Sequence, residues 1–220
     1  MNVSLMWNLK LYPMHNILSS GSHGNAIIYF NSILVDVGIS FSRIEPYLKD
    51  IQIVLLTHQH SDHFKLNVIK RIQEERPSIR FGCGEFLADK LQGIRNLDIY
   101  ESGKMYNYGA FKISPIILYH DVPNFGYRIF KDGKKLIHAT DTYTLEGISA
   151  KDYDIYALEC NYDEERVYDI IREKQYRGEY AHQKGSINSH LSKQQAQKFI
   201  LSNTSRQDIQ FLMLHQSSEF

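Results

Sequence analysis

No stretch of the chain approaches the roughly 18 consecutive apolar residues that a membrane-spanning helix needs, and residues 1–10 lack a basic segment followed by a continuous apolar one. Neither a membrane span nor a secretory leader is expected, so the sequence reads as cytoplasmic with no membrane partner. Net charge is missing as well: 25 Lys and Arg balance 25 Asp and Glu, leaving neither a global positive field for a polyanion nor the acidic excess of a solvating tail. Any polyanion must be held locally. Cysteine is scarce, and Cys83 and Cys160 read as small buried apolar groups in a reducing compartment rather than as a disulfide. Repeats of solenoid period and low-complexity tracts are absent, which argues against a modular scaffold. What remains is 220 residues with 43% apolar composition, enough for one domain over residues 1–220 with a sizeable core and too short for two.

The most informative stretch runs from Ile51 to Phe64. Its first half, with Ile51, Ile53, Val54, Leu55 and Leu56, is a short apolar run of the kind expected for a strand buried on both faces. Its second half, Thr57-His58-Gln59-His60-Ser61-Asp62-His63, places three imidazoles and a carboxylate within six residues of a strand end. A loop there can turn such side chains inward onto one or two divalent ions.

The rest of the chain alternates strands and helices. Residues 3–17 alternate loosely and lead into the turn-rich loop Ser19 to Asn25. Two strands, Ala26–Phe30 and Ile33–Val37, flank a tight Asn31-Ser32 turn. Asp36, near the end of the second, suits either a turn or helix cap or support for a ligand histidine. Ser42 and Glu45 resemble a capping box opening a helix over Arg43–Lys49. Leu66, Ile69 and Ile72 place a helix over 65–75, followed by a strand over Ile79–Cys83, a helix over Glu85–Leu91 and a strand over Leu97–Tyr100. An antiparallel run is expected next: Lys104–Tyr108, Phe111–Tyr119, Asn124–Phe130 and Lys135–Ala139, with Asp132-Gly133 as the hairpin turn between the last two. Strands over Ile155–Cys160 and Ile209–Leu214 and helices over Glu164–Lys174 and Lys193–Leu201 complete the chain. The element pattern alone gives an α/β or α+β fold with two sheets.

If the loop after the 53–56 strand holds metal, other apolar strands should deliver ligands to the same edge. Ile116-Ile117-Leu118-Tyr119-His120, Leu136-Ile137-His138-Ala139-Thr140-Asp141 and Phe211-Leu212-Met213-Leu214-His215 each end in a histidine or aspartate, and His190 sits just before a helix. His138 points into or across the sheet if Asp141 ends the strand. His15 and His182 carry no flanking pattern of this kind, and His23 stands in a loop that glycine and serine usually fill, from which it could approach the rim of the cleft.

The His58-x-His60-x-Asp62-His63 spacing resembles the signature of the metallo-β-lactamase-fold hydrolases. That resemblance implies a four-layer αβ/βα sandwich. It also implies that His58, His60, His120 and Asp141 bind one divalent ion while Asp62, His63, Asp141 and His215 bind a second. Neutral imidazoles and carboxylates suit Zn²⁺, with Mn²⁺ tolerated, and two ions roughly 3.5–4 Å apart clamp a hydroxide and a phosphate oxygen together.

Further motifs are similar to those of the nucleic-acid-processing branch. They are Ser20-Gly21-Ser22-His23-Gly24-Asn25, Leu34-Val35-Asp36-Val37-Gly38, His120 followed by Gly126-Tyr127-Arg128-Ile129, Leu158-Glu159-Cys160-Asn161 and His190-Leu191-Ser192. They resemble the small bacterial and phage exonuclease group related to the cell-wall-operon nuclease, with ribonuclease Z as a cousin. In that group the His-Leu-Ser histidine assists at the scissile phosphate, a role carried to His190, while Asp62 would orient the attacking hydroxide. Two departures stand out: Gln216 follows His215 where an apolar residue is usual, and Tyr162 follows Asn161 where a histidine is common. The stretch Arg166, Arg172, Lys174, Arg177 and Lys184, interleaved with Tyr168, Tyr176, Tyr180 and His182, combines cations and rings as single-strand grips do.

The expectation is a dinuclear-metal phosphodiesterase acting on nucleic acid, a DNA exonuclease on single strands or DNA ends. A small-molecule hydrolase of a cyclic nucleotide, phospholipid or lactone, a tRNA-processing endonuclease and a metal-binding sensor without turnover are the alternatives. Monomer and homodimer stay open.

Overall fold

The computed structural model describes residues 14–180 and 183–217. The expectations placed on residues 3–13 and on His182 lie outside them, as does the side chain of Lys184. Two six-stranded sheets form, each in sequential order. The first contains β1 (His15–Ser19), β2 (Ala26–Tyr29), β3 (Ile33–Val35), β4 (Ile53–Leu55), β5 (Arg80–Gly84) and β6 (Leu97–Tyr100). Its pairings are antiparallel from β1 to β3 and parallel from β3 to β6. The second contains β7 (Tyr106–Asn107), β8 (Phe111–Leu118), β9 (Asn124–Lys131), β10 (Lys134–Ala139), β11 (Ile155–Glu159) and β12 (Gln210–Leu214). It repeats the pattern, antiparallel to β10 and parallel from β10 to β12.

Parallel neighbours need crossovers, and the crossovers coat the outer faces. In the first sheet these are α1 (Phe41–Ile44), α2 (Leu66–Glu75) and a 3₁₀ segment over Glu85–Leu91. In the second they are α3 (Glu164–Tyr176), α4 (Gln183–Ser189) and α5 (Lys193–Asn203). The period-two alternation of strand side chains decides which face each residue serves. Ile27, Tyr29, Ile33, Val35, Ile53 and Leu55 meet Ile113, Tyr127, Ile129, Ile155 and Leu214 between the sheets. Their neighbours Ile28, Leu34 and Val54 turn outward against Val68, Ile69 and Ile72 of α2. On the other side, Ile137, Tyr156 and Leu158 meet Ala196, Phe199 and Ile200 of α5. Burying each such aliphatic side chain stabilises by roughly 1.5–3 kcal/mol, and a one-residue slip would turn every one to the wrong layer. The result is the four-layer αβ/βα sandwich.

Several local expectations are corrected. The helix placed over Arg43–Lys49 begins earlier and breaks sooner: α1 ends at Ile44, and a 3₁₀ turn over Glu45–Tyr47 carries Pro46, which has no N–H to continue an α-helix. Its N-cap is Ser40 rather than Ser42, with no side-chain cap bond. The 104–108 strand shrinks to Tyr106–Asn107, and α4 had no sequence expectation. The Asp132-Gly133 turn is found, with both residues at positive φ and Lys131 paired with Lys134. The turn between β2 and β3 spans three residues, Phe30 to Ser32, with Phe30 and Asn31 at positive φ. Cys83 and Cys160 are buried and free. Among the described residues no helix is long and apolar enough to cross a membrane.

Candidate metal centre

The strands β3, β4, β8, β10, β11 and β12 all end at one edge of the sandwich, because β3 and β4 run parallel, β10 to β12 run parallel, and β8 pairs Leu118 with the start of β9. Immediately after those ends come Asp36, the 57–63 loop, His120, Asp141 and His215, while Glu159 closes β11. Asp36, Asp141 and His215 take left-handed backbone (φ 62, 57 and 50). That conformation is sparsely populated for side chains other than Asn, Asp and Gly, and here it turns three functional side chains off their strand ends.

Close backbone packing fixes the 57–63 loop from below. The Asp62 carbonyl accepts from the Asn25 backbone amide at 2.6 Å, and the His63 carbonyl accepts from Val37 at 2.9 Å. Gly38 lies so near that a Cβ there would fall 1.6 Å from the Asp62 carbonyl oxygen, so no larger residue fits. Gly24, at φ +136, packs on Gly38 in turn. The glycines of both quoted motifs thus serve the metal loop.

The ring nitrogens are sorted. Nδ1 of His58 meets the Thr57 hydroxyl (2.9 Å), Nδ1 of His63 donates to Asp36 (2.6 Å), Nδ1 of His120 donates to the Ser189 carbonyl (3.3 Å), and Nδ1 of His215 and His190 both face Glu159 Oε1 (3.1 and 2.6 Å). Outer partners on Nδ1 aim each Nε2 inward, the arrangement that prepares histidines for a metal. Asp36 therefore supports a histidine, settling its two sequence readings.

All seven ligands expected from the sequence come together. His58, His60 and His120 form one group and Asp62, His63 and His215 another, in each case with ligand atoms within 4.8 Å of one another. Asp141 stands between the groups: its carboxylate oxygens lie 3.0 Å from His63 Nε2, 3.4 Å from His215 Nε2 and 4.0 Å from His120 Nε2. His190 stacks on His215 (ring centroids 5.3 Å apart) and keeps Nδ1 3.8 Å from Asp141. His138 is not with them. It faces between the sheets, its Nδ1 2.9 Å from the Tyr29 hydroxyl. His23 is exposed on its loop and His15 begins β1.

Electrostatics mark the same place. Burial, then the charge of His63, hold His58 down at about 2. Burial also pulls on His63, but Asp141 and Asp36 prevail and push it up to about 10; for His215, Asp141, Asp62 and Glu159 likewise outweigh burial and give about 11. Asp141 is driven up by burial yet held well below the usual carboxylate range by His63 and His215. The buried Asp141 carboxylate thus favours positive charge on the groups around it. Moreover, Asp141 Oδ2 and His215 Nε2 are buried without a hydrogen-bond partner. Unpartnered buried donor atoms and an imidazole–carboxylate set fit divalent transition ions.

Residues 31–201 match the family described as "Beta-lactamase superfamily domain". The chain belongs to the β-lactamase superfamily. Among curated superfamily relatives, it is 30% identical over 190 residues to "Exodeoxyribonuclease WalJ" of Streptococcus pneumoniae, covering 74% of this chain and 66% of that protein. It is 28% identical over 172 residues to "Exodeoxyribonuclease YycJ" of Bacillus anthracis, covering 69% and 64%. The chain thus aligns with about two thirds of the length of these relatives. Solved structures of like fold include human tRNase Z, short form (TM-score 0.66, 14% identity, 93% of both chains) and YhfI of Bacillus subtilis (TM-score 0.61, 15% identity, 91% and 95%). At those identities the likeness is one of fold.

One residue of this superfamily site was quoted in a sequence motif but given no role. Glu159 is fully buried and accepts from the Thr142 amide (3.0 Å), the Leu191 amide (3.2 Å), His190 and His215. Burial raises its pKa, but the bonds from His190 and His215 outweigh that and keep it ionised. The signal available was a carboxylate ending an otherwise apolar strand. Asp121, exposed at the mouth, lies 3.1 Å from His120 Nε2 and 3.5 Å from His60 Nε2.

Proposed function

We propose that the protein is a dinuclear-metal-dependent phosphodiesterase, an exonuclease acting on DNA, with the whole chain forming one catalytic domain. The observation that carries the reading is the convergence of two histidine groups on a shared, buried Asp141 at one edge of the sandwich. His58, His60, His120 and Asp141 would hold one ion, and Asp62, His63, Asp141 and His215 the second, Zn²⁺ by donor type with Mn²⁺ tolerated. When bound, such a pair supplies Lewis acidity toward a phosphate oxygen and lowers the pKa of water.

The chain's own residues supply orientation and proton handling. Asp62 is half-buried, and its Oδ2 lies 3.6 Å from His63 Nε2 and 3.8 Å from His215 Nε2, so it can orient the attacking water from the rim. Glu159 fixes His190 through Nδ1 and raises its pKa against the pull of burial. An imidazole made more basic in this way, with Nδ1 held by Glu159, can give a proton to the leaving oxygen from Nε2.

Nucleic acid as substrate is supported by the names of the curated relatives and by two rings at the mouth. Tyr119 and Tyr143 are 44% and 45% exposed, their centroids are 5.8 Å apart, and they flank His120 and Asp141 in sequence. Exposed rings beside a phosphate-cleaving centre suit base stacking. The test is incubation of end-labelled DNA and RNA strands with the Zn²⁺- or Mn²⁺-loaded protein. A ladder of shortened DNA products is expected. Cleavage of bis(p-nitrophenyl) phosphate with both strands left intact assigns the centre to small phosphodiesters instead.

A further inference from the structure

The backbone that leaves Glu159 continues through Asn161 and Tyr162 to the Asp163 cap of α3. It walls a cavity of about 160 Å³ against the start of α5 and the end of β12. Asn161 joins this cavity to the metal centre: it lines the cavity, and its side-chain amide donates to the His215 carbonyl at 3.1 Å and lies 3.3 Å from His215 Nδ1. Gln216, the residue after His215, lines it too.

Two cations face this space, Arg166 from the first turn of α3 and Lys193 from the first residue of α5. Arg166 belongs to the stretch that resembled a single-strand grip, and Lys193 joins it from α5. Arg172 pairs with Asp169 and Arg177 with Glu173 along the helix, whereas Arg166 and Lys193 line the cavity. The cavity's one carboxylate, Asp163, accepts at Oδ1 from the Gln194 side chain (2.9 Å) and the Glu165 amide (3.0 Å), and Lys193 and Arg166 add to these bonds in holding its pKa below the usual carboxylate range. The space of about 160 Å³ is large enough for a phosphate group, and it offers two cations against one acid. An Arg fork beside a Lys point charge recognises phosphate oxygens.

We propose that this cavity is a phosphate subsite: Arg166 and Lys193 hold a non-scissile backbone phosphate of a single-stranded polynucleotide, next along the strand from the phosphate at the metal centre. The inference rests on the exonuclease reading and deepens it by giving the strand a second point of contact away from the phosphate that is cleaved. It also answers how a chain of zero net charge holds a polyanion: by two cations in a cavity that Asn161 joins to His215.

The experiment is fluorescence anisotropy of a labelled single-stranded phosphorothioate oligonucleotide, titrated with wild type, Arg166→Gln, Lys193→Gln and Lys70→Gln at several salt concentrations. All three residues are solvent-exposed, so the fold is retained. Each lost phosphate contact should flatten the plot of log affinity against log salt by about 0.7 and weaken binding about tenfold at low salt. Arg166→Gln and Lys193→Gln should do both, and Lys70→Gln, on the distant face of α2, neither. Unchanged slopes in the two cavity variants, or an equal loss in Lys70→Gln, overturn the subsite. Cleavage of bis(p-nitrophenyl) phosphate by the wild-type protein reports separately on the phosphodiesterase reading, since that substrate has one phosphate and nothing to place in the cavity.

Discussion

His63 Nδ1 donates to Asp36 Oδ2 at 2.6 Å, and both side chains are buried. Asp36 also accepts from the Thr57 amide and hydroxyl, so one carboxylate ties the end of β3 to the loop after β4. Asp36→Asn removes the charge and the matched acceptor while keeping the shape. The protein should fold, yet bind Zn²⁺ or Mn²⁺ about 10–100-fold more weakly, the usual cost of losing a partner behind a ligand histidine. Competition with a chromophoric chelator measures this, and an unchanged affinity would remove Asp36 from the site.

Asp141 and His138 are three residues apart and separate ligand from bystander. Asp141→Ala should leave the protein with far less than two ions by elemental analysis. His138→Ala should keep its metal and lose roughly 1–3 kcal/mol from the unpaired Tyr29 hydroxyl. Chelation of the wild-type protein should lower its melting temperature, since ions held only by the folded state stabilise it by about 2.7 kcal/mol at a hundred times Kd. Retention of two ions by Asp141→Ala would refute the bridging position.

His138 also has a pH signature. Burial, with the charge of His63 adding to it, pulls its pKa down to about 3 against an ordinary value of 6.5. The folded state therefore keeps His138 neutral over a range where the unfolded chain takes up a proton. Its contribution is fully present above about pH 6.5 and is lost as pH falls toward 3, by on the order of 5 kcal/mol in all. Urea unfolding of the metal-free protein over that range should show a shallower loss for His138→Gln than for wild type. Parallel curves would mean that His138 is protonated in the fold.

The parts of this centre carried by local pattern were readable in the sequence, and the parts carried by tertiary contact were not. Strands such as β4 and β11 announce themselves because both faces are buried, and His58 to His63 lie within one loop. His120, Asp141 and His215 were found because each follows an apolar run. Glu159 was given no role because its partners Thr142, His190 and His215 lie 17, 31 and 56 residues away, and nothing beside it in sequence betrays them. The basic stretch was legible as composition but not as geometry: Arg172 and Arg177 sit in exposed pairs with acids three and four residues before them, worth a few tenths of a kcal/mol each, whereas Arg166 lines the cavity beside Asn161.

The relation of His190 to His215 sets the last prediction. Both Nδ1 atoms meet Glu159 Oε1 and the rings stack, but His215 Nε2 is buried and lies 3.4 Å from Asp141, whereas the His190 side chain is 18% exposed and opens toward the cleft. A ligand belongs at the first position and a proton donor at the second. His190→Ala should keep both ions and bind single-stranded DNA nearly as the wild type does, while turnover falls by roughly 10²–10⁴, the usual worth of a positioned acid. Because Glu159 would still hold His215, metal content should not follow activity down. A single-turnover assay paired with elemental analysis reads both quantities. Loss of one ion in His190→Ala would make His190 the ligand and His215 the bystander, and unimpaired cleavage would transfer the acid's role to solvent.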